Sequence, residues 1–139
     1  VRIVDLTSEK KKAKTAIKGG YMLINQKVDT EMPLLAWRDN NELGIFAPTD
    51  GDLYFYFYEL NEKGWRKDKR QFKSFSNVKD LDISSDGNYL VMSAEWRGKN
   101  DIYYYDYRQR KLTQLTNDPF DDRSPRFLVG DERKIVFSS

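Results

Sequence analysis

"SDGNYLVMS" (residues 85–93) sets a polar tight turn directly before an apolar run, with Asp86 four residues ahead of Leu90. The arrangement occurs twice more: "RDNNELGIF" (38–46) places Asp39 ahead of Leu43, and "GDERKIVFS" (130–138) places Asp131 ahead of Ile135. The three aspartates are 47 and 45 positions apart. A period of about 40–50 residues marks repeated supersecondary units, propeller blades among them.

The neighbouring segments recur with the anchors. An inner strand precedes each one: "PLLAW" (33–37), "DLDIS" (80–84) and "SPRFLV" (124–129). An aromatic strand follows, "DLYFYFYEL" (52–60) and "DIYYYDY" (101–107), of which "VRIVDL" (1–6) is the counterpart one repeat earlier. A short last strand closes the unit: "KTAIK" (14–18), "KRQFKSF" (69–75) and "KLTQLT" (111–116). Asp, Asn and Gly supply the turn chemistry, and the aromatic and β-branched content suits strands. No segment of a dozen residues keeps a helical stripe. "SEKKKAK" (8–14) has a composition that fits a helix, but its place in the repeat makes it a hairpin turn.

The expected fold is therefore all-β, built of β-propeller blades of four antiparallel strands. Residues 1–20 supply the last two strands of one blade, 21–75 and 76–117 two full blades, and 118–139 the first two strands of a next one. These twelve strands make about three blade equivalents, below the roughly 4–8 blades of closed propellers. The chain is read as part of a larger ring, with its open edges covered by remaining blades or by another copy.

"LTNDPFDDRSPRF…DERKIVFSS" and "DISSDGNYLVMSA…NDIYYYDYRQRKLTQLT" resemble the repeat of the TolB-like propellers, in which an inner strand opens at proline and leads through Asp-Gly to an apolar strand. The first full repeat departs from that pattern, with Asn40 where Gly is usual and Pro33 or Leu34 at the proline place. The resemblance covers essentially the whole chain. It implies a non-catalytic protein-interaction scaffold in the periplasm or cell envelope. Related propellers also gate prolyl oligopeptidase-like peptidases, and a cell-wall glycan-binding module is a third reading, because this fold does not dictate one function.

Composition narrows the chemistry. The 139 residues hold 24 basic and 22 acidic side chains, a net charge of only +2, so no global field argues for nucleic acid or a membrane surface. There is no cysteine and no histidine. Ser-His-Asp and Cys-His nucleophile systems and the usual zinc or copper sites cannot be assembled from these residues, and no catalytic residue, metal or cofactor is expected. No apolar run of about 18 residues is present, so no membrane span is expected. The chain opens without methionine or a signal-peptide pattern and reads as a piece of a longer polypeptide. The aromatic strands invite a reading as stacking platforms for single-stranded nucleic acid, but packing between blades explains them better.

Strand alternation sorts the loops onto two faces. Connectors between blades and second-to-third strand loops (27–31, 49–52, 73–80, 94–100 and 117–123) share one face, with a summed charge of −3. Third-to-fourth turns (8–14, 61–70 and 108–111) lie opposite, with a sum of +9. On the connector face, Trp96 and Arg97 in "AEWRGKN" are the residue types that anchor interfaces, with Gly98 allowing a tight turn. Asp121, Asp122 and Arg123, at the next junction, are expected as polar contacts to a protein partner. The carboxylates of "NDPFDDR" lack EF-hand spacing and are read first as turn formers. Trp65, in the basic 61–70 stretch, is read as cover for an outer strand.

Overall fold

The computed structural model describes residues 2–3, 14–15, 22–24, 27–29, 33–38, 42–49, 52–61 and 64–139. Fourteen strands lie among them. The first four form two short hairpins, β1 (Arg2–Ile3) with β2 (Lys14–Thr15) and β3 (Met22–Ile24) with β4 (Lys27–Asp29). A first four-stranded sheet follows in the order β5 (Leu34–Trp37), β6 (Glu42–Thr49), β7 (Asp52–Asn61), β8 (Gly64–Gln71). A second has β9 (Asn77–Ile83), β10 (Tyr89–Trp96), β11 (Lys99–Asp106) and β12 (Lys111–Gln114). A last hairpin pairs β13 (Arg123–Leu128) with β14 (Asp131–Ser138). Every pairing is antiparallel. The described fold is all-β, with four-stranded antiparallel sheets.

Two expectations need correction. Residues 27–31 were expected as a connector, but Lys27–Asp29 pairs with Met22–Ile24 and adds a hairpin to the twelve strands counted from sequence. Residues 61–70 were expected as a basic turn, yet Gly64–Gln71 pairs with β7 along its whole length, from Asn61↔Gly64 to Tyr54↔Gln71. Its backbone partners, not an apolar face, make it a strand, and Trp65 sits within it opposite Leu60. Anchor Asp39 and most of 8–14 lie outside the described residues; Lys14 pairs with Ile3, as a hairpin requires.

The aromatic strand β7 shows why both faces of the first sheet are dry. Alternation sends Phe55 and Phe57 into one cluster and Tyr54, Tyr56 and Tyr58 into another. The first cluster is the core between the two sheets. Edge-to-face contacts join Phe57 to Tyr107 at 4.9 Å, Phe72 to Tyr105 at 5.3 Å and Phe75 to Tyr103 at 4.6 Å. Gly44 makes room for this packing, since a Cβ there would lie 2.6 Å from Phe55 Cζ and 2.8 Å from Ile83 Cδ1. The aromatics are thus core, as their reading as packing rather than stacking platforms requires.

The recurrent Asp organises its turn. Asp86 accepts bonds from Ser84 Oγ at 2.6 Å, Asn88 N at 3.0 Å and Asn88 Nδ2 at 2.6 Å, which hold its carboxyl below the usual carboxylate range. Gly87 follows at φ 68°. Between sheets, Arg38 Nε donates to the Gly87 carbonyl at 2.6 Å, and Ser85 Oγ to Glu132. Inner strand β9 lies between β5 and β13. It holds β13 through Asp82, which accepts from Phe127 N at 2.9 Å, and through Asp80, 3.1 Å from Arg126.

Candidate partner-binding face

The β10–β11 hairpin ends with Trp96 opposite Lys99, leaving Arg97 and Gly98 as a two-residue turn. Both are left-handed, at φ 53° and 79°, the signature of the primed turns that match strand twist. The expected tight turn is present. The Arg97 guanidinium carbon lies 4.7 Å from the Trp96 ring centroid, so each side chain orients the other. Trp96 remains 38% exposed.

The turn is braced on both sides. Ser76, in the preceding connector, donates its backbone N–H to the Glu95 carbonyl at 2.9 Å and its Oγ to Glu95 Oε1 at 3.1 Å. Lys99 Nζ reaches Asn117 Oδ1, in the following connector, at 3.1 Å. Bonds from two connectors thus hold Glu95 and Lys99, the residues that flank the Trp96–Gly98 tip.

The junction 117–123 divides its acids among separate jobs. Asp118 Oδ1 accepts from Phe120 N at 2.9 Å, shaping the turn at Pro119. Asp121 and Arg123 form an exposed pair at 3.2 Å. Asp122 goes the other way: it is fully buried, its N–H donates to the Asn100 carbonyl at 2.9 Å, and its carbonyl accepts from Ser93 Oγ at 2.8 Å and from Asn100 Nδ2. Of the five expected contact residues, the surface thus keeps Trp96, Arg97, Asp121 and Arg123, while Asp122 is turned inward to hold the connector on the sheet. The acids do not converge, and among the described residues no group of three or more His, Cys, Asp or Glu is placed to hold a metal.

Phe120, 64% exposed, joins the surface residues of this junction and was not singled out from sequence. Its signal was available in an aromatic flanked by Pro119 and Asp121, with no alternation to bury it.

No family model matches the chain. It is 28% identical over 111 residues to the Tol-Pal system protein TolB of Helicobacter pylori, an alignment covering 72% of this chain and 26% of that protein. The crystal structure of TolB from Acinetobacter baumannii superposes with a TM-score of 0.62 at 20% identity, over 91% of this chain and 28% of that one. The chain spans about a quarter of the length of these relatives. The resemblance read from the repeat is borne out: the chain is similar to TolB over about a quarter of that protein's length.

Proposed function

We propose that this chain is a β-propeller segment that works without catalysis, as a rigid protein-interaction scaffold of the cell envelope. The propeller reading is supported by the two stacked four-stranded sheets, by the order β5, β9, β13 of their innermost strands, and by the TolB fold likeness. On this reading residues 1–20 are the outer half of one blade, 21–75 and 76–117 two full blades, and 118–139 the inner half of the next, with β3–β4 added ahead of the first full inner strand. The relative's place in the Tol-Pal system points to an envelope compartment and to protein partners there.

The Trp96–Arg97 turn is the observation that carries the scaffold reading. An exposed indole stacked with a guanidinium, on a primed turn braced from both connectors, is a pre-organised anchor that costs little entropy to use. Asp121, Arg123 and Phe120, exposed at the next connector, are the further contacts assigned on this reading. Alanine at Trp96 and Arg97 in the complete protein should weaken capture of envelope proteins in a pull-down by tenfold or more, about 1.4 kcal/mol or above. Undiminished capture would remove the site assignment.

A further inference from the structure

The charge left over after intramolecular pairing sets the Trp96 turn apart from the rest of its face. Arg97 is exposed, and its guanidinium lies over the indole of Trp96, a neutral ring. Lys99 Nζ reaches Asn117 Oδ1 at 3.1 Å, an amide oxygen that leaves the ammonium charge uncancelled. Lys73, exposed in the connector that Ser76 ties to Glu95, is a third cation. No ion pair among the described residues includes any of these three.

The neighbouring acids are already engaged. Glu95 Oε1 accepts from Ser76 Oγ at 3.1 Å, Asp118 Oδ1 accepts from Phe120 N at 2.9 Å, and Asp121 pairs with Arg123 at 3.2 Å. Asp122 is fully buried. Each exposed acid beside the turn thus has an internal donor, while the cations of the turn have no internal acid. The group this surface lacks is a carboxylate.

The shape of the tip restricts what can bring one. Arg97 and Gly98 hold left-handed backbone at the end of the continuous β10–β11 ladder, so the tip is convex and rigid. Small ligands bind in concave sites, whereas a convex tip enters the surface of a partner. A flat polyanion, such as an anionic membrane, would meet the whole face at once. Asp52, at the equivalent turn of the first sheet, and Asp118 and Asp121 are exposed there and repel it. A single segment that reaches only the tip avoids them. Trp96, 38% exposed, offers that segment an apolar surface beside the two charges.

Resting on the scaffold reading above, we propose that the partner protein presents an acidic segment to this turn. An Asp or Glu carboxylate is held by Arg97 and Lys99, and an adjoining apolar side chain covers the Trp96 indole. Lying over the ring occupies the face of the guanidinium and leaves its in-plane N–H donors for the carboxylate. Lys73 adds attraction at longer range.

A random peptide library panned against the complete protein tests this. Enriched peptides should carry Asp or Glu beside an aliphatic or aromatic residue. Binding of the best peptide, read by fluorescence polarisation, should fall roughly tenfold or more in the Arg97→Gln, Lys99→Gln double variant, whose far-UV circular dichroism should be unchanged. It should also weaken as salt rises from about 0.1 M to 1 M, because the screening length drops from about 10 Å to about 3 Å. Exchanging the peptide's acid for its amide should weaken binding to the unsubstituted protein but not to the double variant, which pairs the charges directly. Enriched peptides without acids, no enrichment, or equal binding by the double variant would overturn the proposal. So would flotation with phosphatidylglycerol vesicles that depends on Arg97 and Lys99, since the occupant would then be a lipid surface. The scaffold reading is judged by its own pull-down: capture lost there on alanine substitution, with neutral peptides enriched here, means that the acid assignment fails and the site stands.

Discussion

Replacing Arg38 with alanine probes how the first sheet is held to the second. Its Nε donates to the Gly87 carbonyl at 2.6 Å, its NH1 pairs with Glu42 Oε2 at 2.6 Å, and its guanidinium carbon lies 5.1 Å from the Phe57 ring centroid and 5.7 Å from that of Tyr107. A charge-assisted bond to a carbonyl contributes about 1.5–3 kcal/mol. The two ring faces add roughly 0.5–1 kcal/mol each, and the part-exposed ion pair about 0–1 kcal/mol. These share one group and do not sum, so Arg38→Ala should cost about 2–4 kcal/mol. Gly87 supplies an internal check. It sits at φ +68°, and a Cβ there would lie 2.6 Å from Arg38 Cγ and 2.7 Å from Arg38 Nε. Gly87→Ala alone therefore suffers both left-handed strain of about 1–2 kcal/mol and a collision with Arg38. Without Arg38 only the strain remains, so the double variant should be more stable than the summed losses by about 1 kcal/mol or more. Urea unfolding followed by tryptophan fluorescence measures all four corners of the cycle. Additivity within about 0.5 kcal/mol would refute the clasp.

Two further outcomes follow from buried groups. Both carboxylate oxygens of the fully buried Asp122 lack a hydrogen-bond partner among the described residues, while its backbone makes the bonds that fix the junction. Asp122→Asn keeps the side-chain shape and those backbone bonds, and should leave Tm by calorimetry no lower than that of the natural chain; a lower Tm would mean the carboxylate is satisfied. Burial, with the nearby Tyr89 and Asp106 charges, pushes Tyr104 up to about 12, and burial likewise raises Tyr58, Tyr103 and Tyr107. Because the folded values lie above the free value of 10.0, the stability involved is complete below pH 10 and is lost as pH rises through the folded values. Tyrosinate absorbance at 295 nm from these four rings should appear only above pH 10 and together with loss of circular dichroism, and ionisation of all four near pH 10 in a folded chain would contradict their burial.

Local chemistry was legible in the sequence; long-range placement was not. The Asp86 turn and the Arg97-Gly98 turn are decided by residues within a few positions, so their motifs announced them. The fourth strand was expected at 69–75 but runs over Gly64–Gln71, because "GWRKDKRQ" has no apolar alternation: its strand character comes from the ladder to β7, a partner that composition does not reveal. β3 and β4 have three residues each, too short for a period to be read. Asp118, Asp121 and Asp122 look alike in sequence. What separates them is the bond from Asp122 N to the Asn100 carbonyl, 22 residues away in the chain, which turns one aspartate inward and leaves its neighbour at the surface.

The repeat also distinguishes what the fold requires of the Trp96 turn from what it leaves free. Thr49 pairs with Asp52 at the end of β6–β7 as Trp96 pairs with Lys99 at the end of β10–β11, so "TDGD" and "WRGK" occupy the same place in successive sheets. Glycine recurs at the third position, which at Gly98 is left-handed as the primed turn demands. The other three residues change from a net charge of −2 to +2 and gain an indole, although the flanking pairs Thr49–Asp52 and Trp96–Lys99 hold the same register. The aromatic and cationic character is therefore not a condition of folding. Replacing residues 96–99 by the sequence of 49–52 should leave the thermal midpoint within about 2 °C, since it exchanges one turn of the fold for another at a solvent-facing tip. It should abolish partner capture by the complete protein. If capture survives the exchange, recognition lies elsewhere on the connector face; if folding fails, the stacked Trp96–Arg97 pair is a structural brace and its exposure is incidental.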